Sequence, residues 1–303
     1  MRAEPPPRPS PLSYAERPAT KVPNWHGLVV LDVLFNNLST GLYLCAAVGE
    51  LLAPAAFAGV APWAYRAALA FLVADLVCLI LDLGDPLRFH HMLRVWKPSS
   101  PMSLGTWALV GYSLAVGLLA TAGLLPGAAA FDAGRRVLVL AGMVPALAVA
   151  LYKGVLFSTT AQPGWREARW LGAFLVNSAF HFGAALTLVL AGLLRQQDAV
   201  AGLRAAAVAL GLLHLGALLL VVFDIAPFLR AVRSPARLVE LGLVVVGAGI
   251  LLPMLCFSLG SRGGDLLGLA AMLAGGIMAR DELVHLPHRL QHAAGGAAAR
   301  LRA

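Results

Sequence analysis

Polar residues in this chain gather in clusters, and between the clusters run eight apolar stretches in which leucine, alanine, valine and glycine follow one another without regular alternation. About 20 apolar residues wound into a helix match the hydrocarbon thickness of a bilayer. Barrel strands would instead alternate apolar and polar positions. Because unpaired backbone amides are costly in lipid, the pattern predicts membrane-spanning helices at about 28–52, 62–83, 102–125, 135–158, 169–194, 201–224, 236–260 and 264–280. The expected fold class is an all-α polytopic membrane protein with eight transmembrane helices.

Composition strengthens this picture. Hydrophobic residues make up 59% of the chain, charged residues 13%, and the mean hydropathy is +0.79. An average soluble domain carries roughly 25% charged residues, and few soluble folds could bury this much apolar surface. The first 27 residues are polar and Pro-rich, not the charged-then-apolar order of a cleaved signal peptide, and are expected to form an extended arm. Cys45, Cys78 and Cys256 each sit inside an apolar run with no Cys-x-x-Cys pair, which reads as core packing rather than iron–sulfur or zinc ligation.

An even number of spans puts both termini on one face. That terminal face also holds the connections after the second, fourth and sixth helices, and it carries sixteen Lys and Arg against six on the opposite face, with Lys153 set aside as intramembrane. The positive-inside rule makes the terminal face cytoplasmic in a cell inner membrane. The excess of positive charge then reflects topology and contact with anionic lipid, and no basic-aromatic motif points to nucleic acid.

One connection stands apart. Between the second and third helices runs DLGDPLRFHHMLRVWKPSSPMSLGTW, where Asp82 or Asp85 could pair with Arg88 or Arg94, and where Arg88, His90, His91, Arg94 and Trp96 offer a surface for a partner. Adjacent histidines rarely point two imidazoles at one metal ion. This loop and the segment Tyr152–Trp165 resemble the NrfD/PsrC family, the membrane subunits of polysulfide reductase and related molybdopterin oxidoreductases. The loop carries the resemblance through Asp82, Leu83, Gly84, Pro86, Arg88, Phe89, Met92, Leu93, Pro98, Ser100, Pro101, Met102, Ser103, Gly105 and Trp107. The later segment carries it through Tyr152, Gly154, Leu156 and Ser158, with Lys153 where a small residue is usual.

The resemblance implies two four-helix bundles, a first with a quinone site over 28–158 and a second over 159–280; the sequence itself adds the arm over 1–27 and an interfacial tail over 281–303. It implies a membrane anchor that exchanges electrons between menaquinone or ubiquinone and an iron–sulfur subunit. A molybdopterin or tungstopterin catalytic subunit completes the expected complex, with no haem or metal in this chain. Tyr152, and with it Asp32 and Asn36 on the first helix, would hold the quinone head. The first helix presents an acid where family members can present a histidine.

The residues themselves add to this. A quinone needs hydrogen-bonding groups at its carbonyls, an apolar slot and a proton route; Tyr152, Asp32, Asn36 and His26 can serve the first need. Ionisable groups inside spans are expensive and therefore functional candidates. Glu50, Asp75, His181 and His214 read as a proton relay entering from the opposite face, with Lys153 close to the end of its helix and able to snorkel. Alternatives are a b-type haem between His181 and His214, a transporter-like or proton-translocating module, and a passive anchor.

Overall fold

The computed structural model describes Trp25 and residues 27–122 and 132–300. The arm over 1–24 and the candidate His26 lie outside the described residues. Among those described, the structure is helical without strands. In chain order the helices are α1 Gly27–Leu52, α2 Pro54–Phe57, α3 Ala61–Leu81, α4 Pro101–Ala122, α5 Asp132–Ser158, α6 Leu171–Leu193, α7 Gln197–Val232, α8 Pro235–Gly242, α9 Leu252–Leu259 and α10 Arg262–Arg300.

Among the described residues, seven stretches are long and apolar enough to cross a membrane: α1, α3, α4, Gly134–Ser158 of α5, α6, α7 and the combined segment Pro235–Leu259. The eighth predicted span, 264–280, is the first part of α10 and is not among the seven. Asp265 and Arg280 fall within its apolar run. Between α8 and α9 the backbone winds as a π-helix over Leu243–Leu251, and Pro253 follows, where its missing amide removes one rung of the α-helical ladder.

The innermost helix is α1, with 78% of its apolar window buried against 22% for Pro235–Leu259. It packs most extensively on α3 and α6 and also touches α5 and α10. The crossing with α6 is a backbone contact: a Cβ at Gly41 would strike the Ala179 carbonyl, and one at Gly183 would strike Gly41. Small residues permit such an approach, and close packing, not apolar transfer, holds helices together in lipid.

This crossing joins the two expected bundles. One buried cluster draws on α1, α3, α4, α5, α6, α7, α9 and α10; a second gathers the ends of α1, α5, α6, α7 and α10 nearest the terminal face. Packing is therefore continuous across the expected boundary at 158/159. Residues 281–300, expected within an interfacial tail, continue α10. Leu283, Val284 and Leu286 are buried in the second cluster, and the indole of Trp165 donates to the Leu283 carbonyl at 2.6 Å.

The loop after α3 is ordered as a 3-10 helix, Pro86–Arg94, with none of its residues buried. Of the possible acid–arginine pairs there, Asp85 and Arg88 meet at 3.0 Å. At the start of α4 the Ser103 hydroxyl donates to the Val95 carbonyl and accepts from the Lys97 amide, both at 3.0 Å, which ties the loop down over the helix ends.

Candidate functional site

Asp32 lies five residues into α1, Asp75 six residues before the end of α3, and Lys153 five before the end of α5. At 1.5 Å per residue all three sit about 8–9 Å from the terminal-face ends of their helices. Packing of α1 against α3 and α5 then brings them together. The Lys153 ammonium stands 2.7 Å from Asp32 Oδ1 and 2.7 Å from Asp75 Oδ1, and donates to the Asp32 backbone carbonyl at 3.1 Å. Asn36, one turn after Asp32, donates to Asp75 Oδ2 at 3.4 Å.

These groups are shut in. Side-chain exposure is 5% for Lys153, 8% for Asp32 and 1% for Asp75. Lys153 therefore does not snorkel; it turns inward because two carboxylates offset the loss of its hydration. Asp75, grouped in the sequence reading with the histidines, belongs to this triad. With every member ionised the triad carries one net negative charge.

Tyr152 precedes Lys153 and is buried, its ring 5.8 Å from the ammonium. The same ring lines two apolar crevices. One, of about 240 Å³, runs between the loop and the α4–α5 pair past Pro98, Leu104, Ala148 and Val155. The other, of about 290 Å³, runs between α3 and α4 under the loop, past Leu79, Met92, Met102 and Leu109. Phe89 and Leu93 of the loop form its lid.

What positions the phenol is Gly105, since a Cβ there would enter the Tyr152 ring. Gly105→Ala is expected to destabilise the protein by about 1–3 kcal/mol through overpacking, read as an earlier thermal melt in detergent. Gly117→Ala, on the same helix with open space around it, should leave the melt unchanged.

Glu50, expected on the proton relay, sits at the opposite face. Arg135 grips it with Nε to Oε1 at 2.5 Å and Nη2 to Oε2 at 3.0 Å, and the Tyr65 hydroxyl donates to Oε2 at 3.0 Å. From there aromatic rings run inward: Tyr65 to Tyr43 at 5.3 Å and Tyr43 to Tyr112 at 5.4 Å between centroids. Tyr112 shares a 2.7 Å hydrogen bond with Ser39, one turn from Asn36 on α1. Sequence reasoning missed Tyr43, Tyr65, Tyr112 and Ser39. Their signal was present, because tyrosines in membrane helices favour the interfaces and Tyr43 and Tyr112 fall well inside theirs.

His181 and His214 form a separate group, with ring centroids 5.4 Å apart and Phe174 stacked on His214 at 4.9 Å. The two imidazoles pack against each other, tilted by 46°. Beside them lies Arg280, counted from the sequence among the charges of the terminal face but 1% exposed. Its guanidinium donates to Asn37, to Ser178 at 2.6 Å and to the Gly276 carbonyl at 2.9 Å, so it clamps α1, α6 and α10. Without Arg280 the charge comparison is fifteen against six. Arg88, His90, His91, Arg94 and Trp96 remain exposed on the loop, with Trp96 edge-on to Trp107 at 6.0 Å.

Compared with known proteins, the sequence matches an NrfD-type family model described as polysulfide reductase over residues 17–292. No curated protein matches it.

Proposed function

Because this chain belongs to the NrfD-type polysulfide reductase family, and so is a membrane subunit working with oxidoreductase partners, we propose that it is the quinone-reactive anchor of its complex. It exchanges electrons between the membrane quinone pool and an iron–sulfur subunit. One observation carries this reading: Tyr152 lines two apolar crevices and its ring lies 5.8 Å from the ammonium at the centre of a buried acid–lysine triad.

The residues fit the group. Two crevices of about 240 and 290 Å³ meeting at one phenol approach the size of ordinary small-molecule sites, and their apolar lining suits a prenylated ring. A quinone supplies two-electron chemistry coupled to two protons. Tyr152 hydrogen-bonds a ring carbonyl and orients the head. Asp32, Lys153 and Asp75 hold the charge that a proton transfer at that carbonyl requires, and Asn36 positions Asp75. The loop excludes water from above.

Proton exchange with the opposite face runs by way of Ser39, Tyr112, Tyr43, Tyr65 and Glu50, where hydrogen bonds join Ser39 to Tyr112 and Tyr65 to Glu50 and the Tyr43 hydroxyl donates to the Val139 carbonyl. His181 and His214 lie off this thread. The arginine-rich terminal face is cytoplasmic in an inner membrane, and the helices work as two four-helix units pinned at the α1–α6 crossing. The iron–sulfur subunit docks on Arg88, His90, His91, Arg94 and Trp96, above the crevice, and a molybdopterin or tungstopterin subunit follows it.

Titrating the detergent-purified chain with decylubiquinone or menadione should quench tryptophan fluorescence saturably, at one quinone per chain. Ala148→Phe, which fills the first crevice, should weaken binding at least about tenfold, because the slot can collapse only partly around an added ring. Quenching that rises linearly without saturation, or that Ala148→Phe leaves intact, would overturn the assignment.

A further inference from the structure

A third apolar groove, of about 310 Å³, lies in the other half of the molecule. It opens between the last turns of α7, the α8–π segment and α10, with Phe174 of α6 at its floor and Leu219, Val222, Val245 and Ala279 among its walls. Leu219 and Val222 are exposed on helix faces that meet lipid. At the terminal-face end of the groove stands Arg230.

The charges around that end are almost fully matched. Arg169 holds Asp224 at 3.0 Å and Arg233 holds Glu282 at 2.7 Å. Arg289 holds Asp281 at 3.0 Å and also Glu282, and Arg237 holds Glu240. Glu282, the carboxylate that lines the groove, is thus neutralised twice and does not repel an anion. Arg230 alone in this set has no carboxylate partner among the described residues. It is also the one arginine that lines the groove.

We propose that this groove binds an anionic phospholipid of the terminal-face leaflet, one acyl chain lying between α7 and the α8–π segment and the phosphate paired with Arg230. A guanidinium at headgroup level over an acyl-sized slot offers the two contacts such a lipid needs, a charge-assisted hydrogen bond and apolar cover. Val245 and Val246 on its wall belong to the π-helical stretch Leu243–Leu251.

Native mass spectrometry of the full chain, delipidated in detergent and given dioleoylphosphatidylglycerol or dioleoylphosphatidylcholine, tests this. Phosphatidylglycerol should be retained at one per chain, and Arg230→Gln should weaken its retention about tenfold, the scale of a hydrogen bond to a charged group. Ala226→Phe, which fills the groove, should do the same, whereas Arg66→Gln at the opposite face should change nothing. Equal retention of phosphatidylcholine, an Arg230→Gln variant that holds phosphatidylglycerol like the native chain, or displacement of the lipid by decylubiquinone would each overturn the proposal. Quinone binding beside Tyr152 is measured separately and is untouched by any of these outcomes.

Discussion

Replacing Lys153 with methionine is expected to destabilise the protein by about 3–5 kcal/mol, the penalty for leaving buried charge without its partner. The ammonium stands 2.7 Å from a carboxylate oxygen of Asp32 and 2.7 Å from one of Asp75. Without it two acids face each other in a dry site, and one must take up a proton or the helices must part. The same change should abolish quinol-dependent electron transfer. Asp75→Asn combined with Lys153→Met removes one of the stranded charges and should recover part of the stability. A double-mutant cycle read by thermal melting in detergent measures that coupling. If Lys153→Met melts at the native temperature, the triad is not a buried charge cluster.

Removing only the hydroxyl of Tyr152 should spare stability while still striking turnover. In Tyr152→Phe the ring still fills the space that Gly105 leaves, so the loss of stability should stay within about 1 kcal/mol. Turnover of a complex carrying its oxidoreductase partner should fall on the order of 10²-fold, as when a positioned hydrogen-bonding or proton-transferring group is lost. Native turnover in Tyr152→Phe would remove the phenol from the mechanism. A melt lowered as far as in Lys153→Met would make its role structural.

The two results together separate the layers of the site. On those outcomes Lys153 would act through charge balance, on which folding and turnover both depend, and Tyr152 through one oxygen atom at the edge of a crevice, on which only turnover depends.

Long apolar runs in a chain 59% hydrophobic determined helices, a membrane setting and the approximate ends of the spans, because lipid permits few ways to satisfy a backbone and spacing along one segment reports them directly. The dense loop from Asp82 to Trp107 and the segment around Tyr152 made the family legible, and the loop proved ordered. Local sequence did not determine which side chains meet. Asp32, Asp75 and Lys153 belong to three helices, and only the α1–α3–α5 packing turned them toward one point, converting an expected snorkelling lysine into the centre of a triad. Matching depths were available from the sequence; azimuth was not, since in helices apolar on every side no stripe marks the inward face. The same physics hid Arg280, whose place at the end of an apolar run looked interfacial until α1 and α6 closed around it, and it hid the tyrosine thread, which exists only where three helices bring their rings into register.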